Sequence, residues 1–322
     1  MEKIKIGIIG CSAIANKTVI PTIQKNNLYE LTYLGSRSYE KGKLFSEKFN
    51  CPFGSYDDVL NSNNVDAIYV SVPTGLHFKW GKKVLLSNKH LLLEKPFTST
   101  LEQSKELVKI ANINNKIAME GLAYVYHPWF IELQKQLNNR VIGEIKQISS
   151  SFGFPYLLKT DIRNNPDIGG GAILDNLIYP LSLSLNLLGE PTLGISYHII
   201  KDKILGIDES GFLRLNYLNA AATLTYGFGF SYKNEIEIWG TLGSIFIERA
   251  FTKPPDLEAK LYVKINDSIK EISIGYHDQF YLMFNAFYQK IIKQDTSNKN
   301  ESKDIITRMK IISEIYKSTK NE

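Results

Sequence analysis

The sequence predicts an α/β chain: a doubly wound parallel sheet at the N-terminus, then an α+β domain with a large, mainly antiparallel sheet. Three observations predict it. Short apolar runs alternate with helical runs over residues 1–120. A glycine turn, Gly10-Cys11-Ser12-Ala13-Ile14-Ala15, follows the first of those runs directly. Beyond Gly121, strand-like runs follow one another without helices between them.

Lys3–Ile9 is short, rich in β-branched residues and bounded by Gly10, so it reads as a buried parallel strand. Gly10 lets the chain turn where a side chain would collide. A helix from Ala13 to about Gln24 follows from the spacing of Ile14, Val19 and Ile23, with Pro21 limiting or kinking it. Strands are then expected at Tyr29–Ser36, Ala67–Val72, His90–Leu93 and Lys116–Met119. Helices are expected between them, near Ser38–Phe49, Ser55–Leu60, His77–Leu86 and Leu101–Asn112. One domain is therefore placed at 1–120 and a second at 121–322.

The second domain begins with a helix, Pro128–Leu137, and a glycine loop, Gly169–Gly171, that opens a helix from Ala172 to about Leu188. Strands are expected at Thr192–Ile199, Gly211–Tyr217, Ala220–Phe228, Asn234–Trp239, Ser244–Glu248, Leu261–Ile265 and Lys270–Ile274. Gln279–Ile292 and Asp304–Ser318 read as closing helices, with a polar loop at Gln294–Lys303. Trp80, Trp129 and Trp239 are expected to pack in cores and domain contacts.

Bulk properties narrow the function. With 38 basic and 33 acidic residues the net charge is +5, and no basic run is interleaved with aromatics, which argues against nucleic acid. No stretch reads as a membrane span or a secretory segment, so the cytoplasm is the default. Cys11 and Cys51 form no disulfide framework, and no His, Cys or carboxylate set has metal-ligand spacing.

The turn after the first strand is where the chemistry begins. N–H groups at a helix start favour a pyrophosphate. Gly10 and Ala15 fit the first and third places of the dinucleotide-binding Rossmann fingerprint G-x-G-x-x-G/A, with Ser12 at the middle place. A tight strand-to-helix turn without a ligand is the bland alternative. After the second strand, a carboxylate would bind the ribose 2′-hydroxyl of NAD. Ser36-Arg37-Ser38 stands there instead, and a guanidinium with two hydroxyls suits the 2′-phosphate of NADP(H).

Lys95, in Glu94-Lys95-Pro96, follows a buried strand, a position from which a Lys can serve as acid or base. Asp175 and Tyr179 are four apart on a helix and so share a face. A phenol near a Lys cation can pass a proton to a developing alkoxide, while a half-buried Tyr packing on the sheet is the alternative. Arg163, which with Asp161 precedes the glycine loop, is placed either to grip a phosphate or sugar hydroxyl, or to hold the loop by a salt bridge.

Several segments in order carry a resemblance: Gly7–Ala15, Val65–His77 (VDAIYVSVPTGLH), Leu93–Pro96, Met119–Pro128 (MEGLAYVYHP) and Asp161–Tyr179 (DIRNNPDIGGGAILDNLIY). Together they make the chain resemble the Gfo/Idh/MocA oxidoreductases, the glucose–fructose oxidoreductase and inositol dehydrogenase family. Within it, the chain looks most similar to sugar ketoreductases of deoxysugar pathways and to xylose and dihydrodiol dehydrogenases. The resemblance implies that Lys95 is the catalytic Lys, that its bond to Pro96 is cis, and that Tyr179 holds the place of the catalytic acid with Asp175 beside it. It implies cofactor contacts from Gly10, Cys11, Ser12, Ala13, Ile14, Ala15, Ser36, Arg37, Ser38, Pro73, Thr74, His77, Glu94 and Lys95. It implies substrate contacts from Lys95, Tyr124, His127, Arg163, Asp175, Asn176 and Tyr179. Val125 stands where relatives often have Arg, and Leu177 where they usually have Gly, which would narrow the room near the substrate.

The implied reaction is NADP(H)-dependent hydride transfer to or from a sugar carbonyl or hydroxyl, in first place that of a nucleotide-linked keto-deoxysugar. Free-sugar, inositol and trans-dihydrodiol dehydrogenases are the enzymatic alternatives, and an NADP-binding sensor the non-enzymatic one. The second sheet, as in relatives, is expected to build a homodimer or homotetramer.

Overall fold

The structure, a computed structural model, describes residues 2–158, 160–294 and 299–318. Two compact units emerge: Met1–Gly121 with Phe280–Met309, and Leu122–Gln279 with Lys310–Glu322.

The first unit holds six strands: β1 (Ile4–Ile9), β2 (Tyr29–Gly35), β3 (Phe53–Gly54), β4 (Ala67–Val70), β5 (His90–Leu93) and β6 (Ala118–Glu120). All pairs are parallel, in the order β3-β2-β1-β4-β5-β6. That is the doubly wound order whose direction reverses beside β1, leaving a ligand crevice at the carboxyl ends of the strands. β3 has two residues and leaves no periodic trace in the sequence. The first helical segment is a π-helical turn, Ala15–Val19, continued by α1 (Ile20–Lys25). Pro21 therefore sits in the first turn of α1, where a missing N–H costs little. Then come α2 (Tyr39–Phe49), α3 (Tyr56–Asn61), α4 (His77–Leu86) and α5 (Leu101–Ile113). Val59 and Leu60 of α3, Val84 and Leu85 of α4, and Leu107 and Ala111 of α5 close one core over Ile9, Ile68, Val70, Leu91 and Leu93.

The second unit begins with α6 (Pro128–Asn138) and β7 (Ile145–Phe154). A π-helical turn, Ile173–Leu177, leads into α7 (Ile178–Leu188), again with a proline, Pro180, in the first turn of the α-helix. β8 (Ile195–Asp202), β9 (Ile207–Asn216), β10 (Ala221–Phe228), β11 (Lys233–Gly240), β12 (Ser244–Glu248), β13 (Ala259–Ile265) and β14 (Ser268–Gly275) complete an eight-stranded sheet. Its order is β14-β13-β12-β11-β7-β10-β9-β8, antiparallel throughout except for the β7–β10 pair. β7 lies in the middle of this sheet, and the sequence pattern does not reveal it. Ser149-Ser150-Ser151 mask its alternation, because small hydroxyls serve both faces: Ser150 is buried and donates to Glu235 O at 3.3 Å. The stretch Pro166–Leu188 has the length and apolar composition of a membrane span, contrary to the sequence reading, but most of it is buried as the helix under this sheet. Trp80 and Trp129 are buried as expected, whereas Trp239 is exposed on the outer face of β11.

Two helices, α8 (Gln279–Ile292) and α9 (Lys299–Ser318), close the chain, α9 starting before the expected Asp304. The expected polar loop falls partly on residues 295–298, outside the described residues. The sequence reading draws one boundary near residue 120, yet α8 and most of α9 pack with the first unit for identifiable reasons. Phe284 of α8 sits edge-on to the Tyr29 ring, and the Tyr29 hydroxyl donates to Phe284 O at 2.7 Å. Arg308 of α9 forms a buried ion pair with Glu120 at the end of β6.

Candidate active site

The turn after β1 is built from backbone and two hydroxyls. Gly10 has φ +103, and a Cβ there would lie 2.6 Å from Ser71 O at the end of β4, so only glycine fits. A chain of bonds fastens the turn: Ala15 N–H donates to Ser12 Oγ (3.1 Å), Ser12 Oγ to Ser71 Oγ (2.9 Å), and Ser71 Oγ to Gly10 O (2.9 Å). The Ser12 hydroxyl thus shapes the turn, and the first-turn N–H groups of Ala13 and Ile14 stay outside that chain. A glycine cradle at a helix start suits the pyrophosphate of a dinucleotide. Cys11 is buried, its thiol 3.7 Å from Gly35 O, and burial pushes that thiol up.

Ser36-Arg37-Ser38 follows β2. Ser38 caps α2, accepting Lys41 N–H at 3.2 Å, and its hydroxyl donates to Glu40 at 2.8 Å. Glu40, held below the usual carboxylate range first by its own backbone N–H and then by Ser38, is spent on the helix start. Arg37 is exposed beside the Tyr56 hydroxyl. The Lys41 charge reaches Cys11, which brings a second cation to this corner. Sequence reasoning overlooked Lys41 and Tyr56; a base one helical turn beyond Arg37 was the available signal.

Lys95 is half-buried just past β5, and its bond to Pro96 is cis. The flanking groups are tied down. Tyr69 of β4 donates to Glu94 Oε1 at 2.5 Å. Burial pushes the Glu94 carboxyl up, opposed by the Tyr69 bond and the Lys95 charge. Glu120 Oε1 accepts Phe97 N–H at 2.8 Å. His77 is 1% exposed, with Nδ1 2.7 Å from Pro96 O and Nε2 2.9 Å from Val72 O. Both partners are acceptors, and burial pushes the imidazole down to about 4, so at neutral pH the ring donates to one carbonyl only. His77 is therefore buried between two loops and bonded to one of them, a correction to its expected place among the cofactor contacts. Pro73 and Thr74 lie beside it, half-exposed.

In the second unit, Asp175 and Tyr179 are the only residues from 171 to 180 that are not buried, so they share an open face as their spacing predicts. The Tyr179 ring rests on Phe152 (5.1 Å between centroids) and Phe251 (5.5 Å). Arg163 Nε donates to Asp175 Oδ2 at 2.8 Å and Nη1 to Asp161 Oδ1 at 3.2 Å. Of the two readings for Arg163, the loop-holding salt bridge is present in the fold. The Asp175 carboxylate is the main reason the guanidinium is held well above its ordinary range.

Three expected substrate contacts occupy the interior instead. Tyr124 is fully buried, stacked on Trp129 and donating to Ser182 Oγ at 2.9 Å. His127 is fully buried and caps α6, Nδ1 accepting Trp129 N–H at 3.1 Å; burial, then His277 and Lys253, push its ring down to about 4. Asn176 donates to Gly227 O at 3.0 Å and to Phe152 O at 3.4 Å, tying the helix to β10 and β7. Each belongs to the aromatic or hydrogen-bonded layer behind Tyr179. Leu177 points into the core at 0% exposure and does not narrow the open face.

Known proteins share the fold. Residues 4–122 match the oxidoreductase family with an NAD-binding Rossmann fold, and residues 130–246 match the GFO/IDH/MocA C-terminal domain. The chain is 31% identical over 292 residues to the dTDP-3,4-didehydro-2,6-dideoxy-alpha-D-glucose 3-reductase of Actinomadura kijaniata, covering 90% of this chain and 88% of that one. It is 25% identical over 317 residues to D-xylose 1-dehydrogenase (NADP(+)) 2 of Haloferax volcanii, covering 97% of this chain and 96% of that one. The crystal structure of a 3-ketoreductase from Actinomadura kijaniata in complex with NADP and TDP-benzene superimposes with a TM-score of 0.90 at 29% identity, covering 96% of this chain and 95% of that one. With both of its family domains matched and the parallel and antiparallel sheets in the expected order, the chain belongs to the Gfo/Idh/MocA family of oxidoreductases.

Proposed function

We propose that this oxidoreductase is an NADP(H)-dependent ketoreductase acting on a nucleotide-linked keto-deoxysugar. The observation that carries the reading is the likeness to the Actinomadura kijaniata reductase, which runs through 90% of the chain and so includes the helix bearing Tyr179. The basic corner after β2 supports NADP(H) over NAD(H), since Glu40 is engaged at a helix start while Arg37 and Lys41 are exposed. The likeness to a D-xylose dehydrogenase keeps a free sugar as the second reading.

The residues suit the cofactor as follows. Gly10 and the first-turn N–H groups of Ala13 and Ile14 take the pyrophosphate. Arg37 and Lys41 take the 2′-phosphate, and the hydroxyls of Ser36 and Ser38 reach it by giving up their bonds to Ser38 O and Glu40. Pro73, Thr74 and Glu94 border the nicotinamide end. When bound, NADPH supplies the hydride. Tyr179 hands its phenolic proton to the carbonyl oxygen as negative charge develops there, and the Lys95 ammonium stabilises that charge. Asp175, oriented by Arg163, accepts from a sugar hydroxyl. In the oxidative direction Tyr179 takes the proton back.

We place the reaction in the cytoplasm. We place the subunit contact on the outer face of the eight-stranded sheet, where Trp239 and Phe212 are exposed.

Calorimetric titration should show NADP(H) binding more tightly than NAD(H). Arg37→Ala should cost NADP(H) on the order of 1–3 kcal/mol, the size of a charge-assisted hydrogen bond, and leave NAD(H) unchanged. Equal affinities in the parent protein would contradict the assignment. Lys95→Ala and Tyr179→Phe should keep their fold and NADP(H) affinity while turnover on the keto sugar falls about 10²-fold or more. Asp175→Asn should lose as much or less, non-additively with Tyr179→Phe; near-normal turnover in either of the first two variants would remove that residue from the mechanism. Light scattering should give two or four times the 36.6 kDa chain mass, and Trp239→Lys should lower it; a single-chain mass would refute the sheet contact.

A further inference from the structure

We propose that Asp208 is a positioning residue for the reaction: its carboxylate, delivered from β9, caps the start of the helix that carries Asp175 and Tyr179. The inference rests on the role given to Tyr179 above. The helix start has no acceptor of its own. Gly169, Gly170 and Gly171 lack side chains, and Ala172 supplies no cap. Asp208 Oδ1 accepts Ile173 N–H at 2.6 Å, and Oδ2 accepts the Tyr316 hydroxyl at 3.1 Å.

The glycine run is shaped around this bond. Gly171 has φ +116, and a Cβ there would lie 2.6 Å from Asp208 Oδ2. A Cβ on Gly170 would lie 2.5 Å from Arg163 O, and Gly171 N–H donates to that same oxygen at 3.0 Å. One turn therefore brings two clamps together: Asp208 on the helix backbone and the Arg163 guanidinium on Asp175.

Titratable groups facing Asp208 are the hydroxyls of Tyr316 on α9 and Tyr226 on β10; the other groups acting on it are the N–H groups of Ala172 and Ile173 and its own. Burial pushes the Asp208 carboxyl up to about 6, against the pull of the Ile173 N–H and the Tyr316 hydroxyl. The ionised cap is therefore complete above that pH and lost as pH falls through it. A protonated Asp208 holds Ile173 N–H through an uncharged oxygen, a bond roughly half as strong.

Steady-state kinetics from about pH 5 to about pH 8, read with amide hydrogen exchange over residues 172–179, test this in the parent protein, Asp208→Asn and Asp208→Ala. The parent kcat should fall on the acid side with a midpoint near 6. Asp208→Asn, a permanent mimic of the protonated state, should lose that acid limb and sit about 3- to 10-fold below the parent at pH 8, the rate equivalent of one weakened hydrogen bond. Asp208→Ala should be slower still and exchange faster over residues 172–179, with KM for NADPH unchanged. Full kcat and a persisting limb in Asp208→Asn, or unchanged exchange in Asp208→Ala, would overturn the proposal. If Tyr179→Phe is fully active, the reading of Tyr179 fails by itself, and exchange in Asp208→Ala still decides whether Asp208 holds the helix.

Discussion

Polar backbone groups at the ends of buried strands and helices must find partners inside the protein. In this chain a few side chains meet that demand, and they border the positions proposed to react. Ser12 and Ser71 close the turn after β1 around Gly10. His77 and Glu120 take the backbone of Pro96 and Phe97, the two residues after Lys95. Asp208 takes the first N–H of the helix segment that leads to Tyr179. The side chains proposed to react are thus mounted on backbone whose position is fixed by bonds made elsewhere, which is how a site stays preorganised without covalent restraint.

The carboxylates in these supports are expensive to bury. Glu94, Glu120 and Asp208 all have their carboxyls pushed up by burial, and each is offset by a named partner: the Tyr69 hydroxyl, the Arg308 guanidinium, and the Ile173 N–H with the Tyr316 hydroxyl. A buried ion pair such as Glu120–Arg308 contributes little net stability compared with apolar residues of the same size. What it supplies instead is direction: one Glu120 oxygen faces Arg308 while the other receives Phe97 N–H. Exposed pairs such as Lys43–Glu47 impose no such constraint and are worth little.

Much of this was legible in the sequence. Strands β1, β2, β4 and β5 stand out because a sheet covered on both faces needs near-continuous apolar runs, and the spacing of Asp175 and Tyr179 gives their common face directly. Less legible were features set by tertiary contact. β7 is hidden by its three serines, since small polar side chains fit a sheet interior only when a neighbouring strand accepts their hydroxyls. Tyr124, His127 and Asn176 look like ligand-binding groups by residue type, but a hydroxyl, an imidazole and an amide serve equally well to satisfy Ser182, Trp129 N–H and Gly227 O. Asp208 carries no motif, because it reaches the glycine run from a strand 37 residues away in sequence from Gly171.

The proposed reaction moves a hydride from NADPH to the carbonyl carbon of a nucleotide-linked keto-deoxysugar. The direct measurement supplies the protein with NADPH deuterated at nicotinamide C4 and a nucleotide-linked keto-deoxysugar, and follows the product by NMR and mass spectrometry. One deuterium on the former carbonyl carbon, in step with NADPH consumption, is the predicted result. NADPH consumption without label in the sugar, or labelling of a free sugar while the nucleotide-linked one is left untouched, would contradict it.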